Sequence, residues 1–195
     1  SYSYWTFGDV FEEQGVPFTP FHGGFGLVAN GCITKPTFWT FAFYKKLEES
    51  EANCVYKDDN IVVLKRANGD YLGVAWNIAR KSTEQGKEKM LLEFTFPAEQ
   101  EEYCFLTKTV DEETCNPLKV WHDMGEPANL SEEQTKLIRE SSRPFVKTER
   151  KKQEDGNICV ELPVNKNGVV YFELNAGKVN PDRGYDYDRV VSLKA

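Results

Sequence analysis

The residues best suited to bond-breaking chemistry are two adjacent carboxylates, Glu12 and Glu13, which follow an aromatic residue, Trp5. Two carboxylates can cleave a glycosidic bond when they lie about 5 Å apart across it, or about 6.5–9.5 Å apart if the sugar is inverted. Adjacent side chains on an extended chain point to opposite faces, so Glu12 and Glu13 cannot form such a dyad. Either one could bind a sugar hydroxyl, because a carboxylate is a strong acceptor. Trp5 could be an aromatic wall for a sugar ring, although composition alone favours a core position.

The other candidate motifs indicate no second kind of chemistry. The glycine-rich run from Phe21 to Gly26 lacks the preceding strand and following helix that a phosphate-binding loop needs. His22 and His122 are isolated from the five cysteines, so the spacing predicts no metal site. No serine lies in the context of a nucleophile elbow. The sequence therefore predicts neither a metal nor another cofactor.

Composition and charge restrict the class of protein. The 195 residues are 40% hydrophobic and 28% charged, which is typical of a globular protein. A formal net charge of −7 argues against nucleic acid and anionic membrane surfaces as partners. No apolar run approaches the roughly 18 residues of a membrane span, and no signal-peptide pattern is present. An odd number of cysteines without a C-x-x-C pair favours a reducing compartment, so we expect a cytoplasmic location.

The first fifty residues are rich in aromatic side chains and show no hairpin pattern. The run from Tyr2 to Phe7 suits a short strand, and a Gly- and Pro-rich loop follows as far as Gly31. The pattern then predicts a helix from Phe38 to about Leu47, with Thr34 as its N-cap and Pro36 in its first turn.

This predicted helix is apolar nearly all the way round. Phe38 and Phe41 mark one face, Trp39 and Phe43 a second, and Leu47 belongs to a third, whereas a surface helix shows a single apolar stripe. A β domain can cover only one of these faces. Leaving three aromatic side chains in water would forgo on the order of 10 kcal/mol, which indicates a second packing partner outside this chain. The alternative is that the preceding loop wraps the helix.

Eight short strands separated by turn signals follow. They are predicted at residues 54–56, 61–65, 71–77, 90–96, 103–108, 146–150, 158–162 and 169–174. Asn68-Gly69, between the second and third of them, is the strongest hairpin signal. The pattern predicts a mainly β fold, an antiparallel β-sandwich with a few helices. Five apolar residues are expected to point into its core: Val62, Leu64, Leu72, Val74 and Trp76.

A helical insertion interrupts the strands at about residues 111–143. Ser131 and Gln134 match a capping box, in which each residue bonds the backbone of the other, and they predict the start of one helix. Leu137 and Ile138 are expected to form its buried side.

Several segments resemble glycoside hydrolase family 39 β-xylosidases. They are YSYWTFGDVFEE, PFHGGFGL and KPTFWTF within residues 2–47, NPLKVWHDMGEP at 116–127 and GYDYDR at 184–189. The first block is long and specific. It matches the point where the last strand of the family's (β/α)₈ barrel runs into its last loop and last helix.

The resemblance implies a division of the chain. Residues 1–50 would be the end of a truncated catalytic (β/α)₈ barrel, with strand eight, a loop on the active-site face and helix eight. Residues 51–176 would be an accessory β-sandwich that contains the insertion, and residues 177–195 a C-terminal tail. The missing N-terminal part of the barrel would then be the second partner of the aromatic helix. Without it, we expect the aromatic residues to be hidden by self-association or by folding onto the sandwich.

The resemblance also implies roles for individual residues. Trp5 would line the subsite for the xylose unit, Glu13 would bind sugar hydroxyls there, and Glu12 is a further candidate. Both catalytic glutamates would lie upstream, so this chain would carry no catalytic residue and be inactive alone. The parent would hydrolyse β-xylosides, as in xylan degradation, through a covalent glycosyl-enzyme and without a metal. A cis peptide bond is implied between Trp5 and Thr6, and we expect it to relax to trans without the barrel.

A second hypothesis belongs to another class of protein, the stand-alone carbohydrate-binding β-sandwich. Tyr71, Trp121 or Tyr185 would then form a surface platform for a sugar. An immunoglobulin-like adhesion domain is a third interpretation, but the sequence lacks its Cys…Trp…Cys pattern.

Overall fold

The chain folds into a β-sandwich with additional helices. The computed structural model describes residues 3–9, 15, 19–79, 88–96 and 102–177. Within these ranges the elements are β1 (Val28–Ala29), β2 (Ile33–Thr34), α1 (Pro36–Glu49), β3 (Asn53–Lys57), β4 (Ile61–Lys65), β5 (Tyr71–Trp76), β6 (Glu88–Thr95), β7 (Glu102–Val110), α2 (Pro117–Asp123), α3 (Glu132–Ser141), β8 (Phe145–Lys152), β9 (Asn157–Val164) and β10 (Val169–Ala176). In this described part of the chain, no helix has the length and apolar character needed to cross a bilayer.

Strands β3 to β10 form the two sheets of the sandwich. One sheet has six strands in the order β3-β4-β5-β10-β7-β8, and the other consists of β6 and β9. Every pairing in both sheets is antiparallel. These strands confirm the eight predicted from the sequence, with ends that differ by at most two residues. β1 and β2 form a short hairpin in a region that was predicted as loop and helix cap.

Side chains from both sheets fill the core of the sandwich. On the central strand β10, Val170, Phe172 and Leu174 contribute to this core together with Phe94 of β6 and Ile158 of β9. Each of the five is at most 4% exposed. Alternate residues of a strand point to the same face, which explains the spacing along β10.

The five residues predicted to fill this core belong instead to a second hydrophobic cluster, on the side of helix α1. They are Val62, Leu64, Leu72, Val74 and Trp76. Phe43 and Leu47 of α1 are buried in the same cluster. The predicted face is wrong because alternation could not distinguish the two sides of the sheet. β5, for example, has five buried residues in succession, so hydrophobic side chains point both ways.

Helix α1 lies against the six-stranded sheet. It begins with a proline, but its N-cap residue is Lys35 and no side chain caps it. The predicted cap is wrong, because the hydroxyl of Thr34 lies 3.0 Å from that of Ser142 instead. Phe43 is 2% exposed and stacks on Tyr171, with ring centroids 5.4 Å apart. The buried residues of α1 are on this side, so the sheet covers one face of an otherwise aromatic-rich helix.

The insertion between β7 and β8 contains two helices, whereas the sequence predicted one. The capping box of Ser131 and Gln134 is confirmed, since both of its hydrogen bonds are present. The other helix, α2, is capped by the side chain of Asn116. Ile138 of α3 is fully buried, as predicted, but Leu137 is 50% exposed.

The C-terminal end of α3 is tied to distant parts of the chain. The backbone carbonyl of Ser142 accepts hydrogen bonds from Trp39 Nε1 at 2.6 Å, Thr34 Oγ1 at 3.2 Å and Cys115 Sγ at 3.2 Å. The β1–β2 hairpin and helices α2 and α3 also share a third hydrophobic cluster. The insertion therefore packs against the first fifty residues.

Candidate functional site

The segment that carries Trp5 lies alongside the strand β1. The backbone N–H of Leu27 donates to the carbonyl of Thr6 at 3.2 Å, and that of Val28 donates to the carbonyl of Phe7 at 2.9 Å. In the other direction, the N–H of Asp9 donates to the carbonyl of Val28 at 2.9 Å. These bonds fix residues 6–9 against residues 27 and 28.

This contact is shorter than a strand. Among residues 3–9, only Gly8 is paired, in an isolated parallel bridge with Val28, so a strand from Tyr2 to Phe7 is not formed in the described part of that run. A strand needs partners along its length, and the contact with residues 27 and 28 is too short to supply them. The Trp5–Thr6 peptide bond is cis, as the resemblance implies. The expectation that it relaxes to trans is wrong.

Aromatic side chains of this region face solvent. Trp5 and Phe7 are each 67% exposed and Phe25 is 55% exposed. Tyr4 is 43% exposed; its hydroxyl donates to the carbonyl of Phe25 at 2.8 Å and its ring lies 5.3 Å from that of Phe41. The core position that composition favours for Trp5 is therefore wrong, and the indole presents an exposed surface.

The two carboxylates proposed beside Trp5 lie outside the described residues. The roles of Glu12 and Glu13 as sugar ligands accordingly stay predictions. Within the described ranges, no group of three or more His, Cys, Asp or Glu side chains is arranged to hold a metal ion.

A buried ion pair, not predicted from the sequence, joins the Trp5 segment to helix α1. The side chain of Asp9 is 0% exposed and that of Lys35 is 18% exposed. Lys35 Nζ lies 2.8 Å from Asp9 Oδ1 and 2.6 Å from Asp9 Oδ2. Asp9 Oδ1 also accepts from the backbone N–H of Gly26 at 2.7 Å, and Lys35 Nζ donates to the carbonyl of Gly24 at 2.6 Å. The pair therefore holds three segments together.

The glycines of the loop make this close approach possible. A Cβ atom on Gly24 would lie 2.7 Å from Asp9 Oδ1, and one on Gly26 would lie 2.6 Å from both the backbone N and Oδ1 of Asp9. Real Cβ atoms do not come that close to other atoms, so larger residues would displace the loop or the carboxylate. Packing against Asp9 thus explains the glycines at positions 24 and 26.

A second ionic network links α1 to the six-stranded sheet. Glu173 lies 3.5 Å from Arg66 Nη1 and 3.8 Å from Lys46 Nζ, and it accepts a hydrogen bond from the Tyr171 hydroxyl. Burial alone would raise the pKa of Glu173, but hydrogen bonds from Tyr171 and Asn175 and the two cations bring this pKa below its usual value. Each charged side chain of this network has an ionic partner, so we interpret the network as one that stabilises the fold.

All five cysteines are free thiols. Four are exposed, and Cys115 is 4% exposed. Burial, with a smaller contribution from the negative charge of Asp111, raises the pKa of the Cys115 thiol to about 12. A thiol with such a pKa is a poor nucleophile, which argues against catalysis at Cys115.

The stand-alone sugar-binding hypothesis loses two of its three platform residues. Tyr71 and Trp121 are each 8% exposed. The ring of Tyr71 packs 4.9 Å from that of Phe94, and Trp121 Nε1 donates to the carbonyl of Pro127 at 3.0 Å. Both belong to hydrophobic clusters, and the Tyr71 hydroxyl donates to the carbonyl of Thr95 at 3.1 Å, so the polar atom of each has a partner within the fold. Tyr185 lies outside the described residues.

The described fold matches part of two solved enzyme structures. A β-xylosidase structure from Caulobacter crescentus superimposes with a TM-score of 0.72 at 25% identity, over 91% of this chain and 38% of that one. A family 39 enzyme from Xanthomonas axonopodis pv. citri has the same fold, with a TM-score of 0.74 at 24% identity, over 90% of this chain and 37% of that one.

Sequence comparison identifies the family. The profile of glycosyl hydrolases family 39 matches residues 1–159, and the chain belongs to this family. A β-xylosidase of Geobacillus stearothermophilus is 36% identical over 174 residues, and one of Caldicellulosiruptor saccharolyticus is 31% identical over 182. The matches cover 89% and 90% of this chain but only 33% and 36% of these relatives. The chain thus spans about a third of their length.

Proposed function

We propose that this chain is the C-terminal part of a retaining glycosidase that hydrolyses β-xylosides and xylooligosaccharides. Residues 1–50 are the end of its catalytic (β/α)₈ barrel, residues 51–176 an accessory β-sandwich with the insertion at about 111–143, and residues 177–195 a tail. The family match and the span of a third of the β-xylosidase relatives support this assignment.

The exposed aromatic surface is the single observation that carries the proposal. Trp5, Phe7 and Phe25 are more than half exposed, and the buried residues of the nearby helix α1, Phe43 and Leu47, pack on the side of the six-stranded sheet. Neighbouring exposed aromatic residues mark a surface that a partner or ligand covers. The N-terminal portion of the barrel is that partner in the parent. In its absence, the same surface is where we expect the chain to self-associate.

In the parent, Trp5 lines the subsite for the xylose unit, and Glu13, with Glu12 as a further candidate, binds sugar hydroxyls. The catalytic glutamates lie in the upstream portion, so this chain supplies binding and support rather than bond cleavage. No metal or other cofactor takes part. The free thiols favour a reducing, cytoplasmic location for the parent.

Activity measurements on two lengths of protein test the proposal. The 195-residue chain should not hydrolyse an aryl β-xyloside, whereas the same chain preceded by its upstream barrel should. Trp5→Ala in the longer protein should lower kcat/KM by about 10–100-fold, because a misplaced substrate loses the benefit of orientation. Hydrolysis by the 195-residue chain, free of host enzyme, would contradict the proposal. So would a longer protein with no glycosidase activity.

A further inference from the structure

We propose that the buried Asp9–Lys35 ion pair is a positioning device for Trp5. It fixes the segment that carries the indole to the glycine-rich loop and to the start of helix α1. This inference rests on the proposed function only for its consequence in catalysis, because the device itself is a property of this chain.

The position of Lys35 is the first argument. A helix N-terminus carries a partial positive charge, so a lysine at the N-cap of α1 is electrostatically unfavourable there. Its side chain caps no backbone group of the helix. Instead the ammonium contacts both carboxylate oxygens of Asp9 and the carbonyl of Gly24. A contact with Asp9, rather than helix formation, explains a lysine at this position.

The second argument is how completely Asp9 is enclosed. Its side chain is 0% exposed, and its Oδ1 binds both Lys35 and the backbone N–H of Gly26. Removal of the Lys35 ammonium would leave the fully buried Asp9 carboxylate without its counter-charge, which is strongly unfavourable. The pair therefore has one arrangement, and the loop path through Gly24 and Gly26 is shaped around it.

The third argument is the connection to Trp5. Asp9 lies on the same segment as Trp5, and the carbonyls of Thr6 and Phe7 between them accept hydrogen bonds from residues 27 and 28. The ion pair and these bonds hold the segment at several points on one side. Trp5 itself is 67% exposed, so most of its side chain faces solvent. The anchoring of the backbone by Asp9 and Lys35 therefore fixes where this exposed side chain is presented.

Hydrogen–deuterium exchange of the 195-residue chain tests the device without any substrate. Asp9→Asn and Lys35→Met should each speed exchange in peptides covering residues 3–9 and 22–28 by about tenfold or more, because local opening becomes easier. The double variant Asp9→Asn/Lys35→Met should exchange no faster than either single variant. Lys35→Arg should retain most of the protection against exchange. Lys45→Met is the matched control, since Lys45 pairs with Glu48 on the exposed surface of α1. Unchanged exchange in Asp9→Asn would overturn the inference.

Kinetics of the longer protein test the catalytic consequence. Asp9→Asn should lower kcat/KM for an aryl β-xyloside by about tenfold or more through misplacement of Trp5. In a Trp5→Ala background the same change should cost less than about twofold, because the aromatic side chain that Asp9 positions is absent. Phe43→Ala, which weakens the fold through other contacts, should leave kcat/KM nearly unchanged well below its unfolding temperature. Equal losses with and without Trp5 would overturn the positioning role. A longer protein without any activity would refute the proposed function. The exchange experiment would still show whether the Asp9–Lys35 pair anchors the segment that carries Trp5.

Discussion

The attachment of helix α1 to the sandwich can be tested by the change Phe43→Ala. Phe43 is 2% exposed and stacks on Tyr171 of the central strand, at 5.4 Å between ring centroids and 27° between ring planes. Truncation of a buried phenylalanine costs about 3–5 kcal/mol, which combines lost burial with the cavity that remains. The stacked pair, itself worth about 0.5–1.5 kcal/mol, is part of that cost. We therefore expect the free energy of unfolding to fall by about 4 kcal/mol.

The matched control is Phe38→Ala on the same helix. Phe38 is only partly buried and contacts Trp39, with centroids 5.3 Å apart. Both changes replace phenylalanine with alanine in one helix, so their effects on helix propensity are similar and the difference reports packing. We expect Phe38→Ala to cost about 1 kcal/mol.

Urea unfolding, followed by far-UV circular dichroism, measures both variants. With an m-value of about 2 kcal/mol/M, Phe43→Ala should lower the midpoint by about 2 M and Phe38→Ala by about 0.5 M. Repeating the titration at two protein concentrations shows whether self-association contributes. If the two variants lose the same stability, or Phe43→Ala loses less than about 1 kcal/mol, then the six-stranded sheet does not hold α1 in the way described.

Three further predictions concern thiols, pH and helix capping. A thiol reagent near neutral pH should label four cysteines of the native chain, with Cys115 reacting only after unfolding, because burial raises its pKa to about 12; five fast thiols would contradict the buried position. The lowered pKa of Glu173 means that it stabilises the fold above its unfolded pKa of about 4.3 and that this contribution is lost as pH falls through the folded pKa. Glu173→Gln should therefore lose less stability than the original chain between about pH 5 and pH 3 in urea titrations, and identical pH profiles would exclude the network as the cause. Ser131→Ala should cost about 1 kcal/mol through loss of the α3 cap, measured by thermal unfolding, and a cost near zero would show that the cap bonds contribute nothing.

Local signals in the sequence predicted the strands well. The hairpin at Asn68-Gly69 and the capping box at Ser131 each depend on residues close together in the chain, and both are present. Helix α2 has a comparable local signal, Asn116 followed by proline. Elements whose cause is local can be read from a sequence.

Features that depend on distant residues could not be predicted in the same way. The prediction that Leu72 and Val74 point into the core between the two sheets is wrong. Both sides of the six-stranded sheet are buried, so the alternation of residues does not show which side a given side chain faces. The Asp9–Lys35 pair joins residues 26 positions apart with no periodic pattern. The one available hint is a lysine at the start of the predicted helix, directly after the predicted N-cap Thr34, where a positive charge is disfavoured.

The carbonyl of Ser142 has a consequence for any attempt to shorten this protein. Three donors from the first hairpin, helix α1 and the segment before α2 meet at that single oxygen. Deleting residues 111–143 and rejoining the flanking strands would leave the indole N–H of Trp39 without its acceptor and would uncover the adjoining hairpin. Residues 111–143 therefore cannot be trimmed as a dispensable appendage, and a minimal version of this sandwich has to retain them.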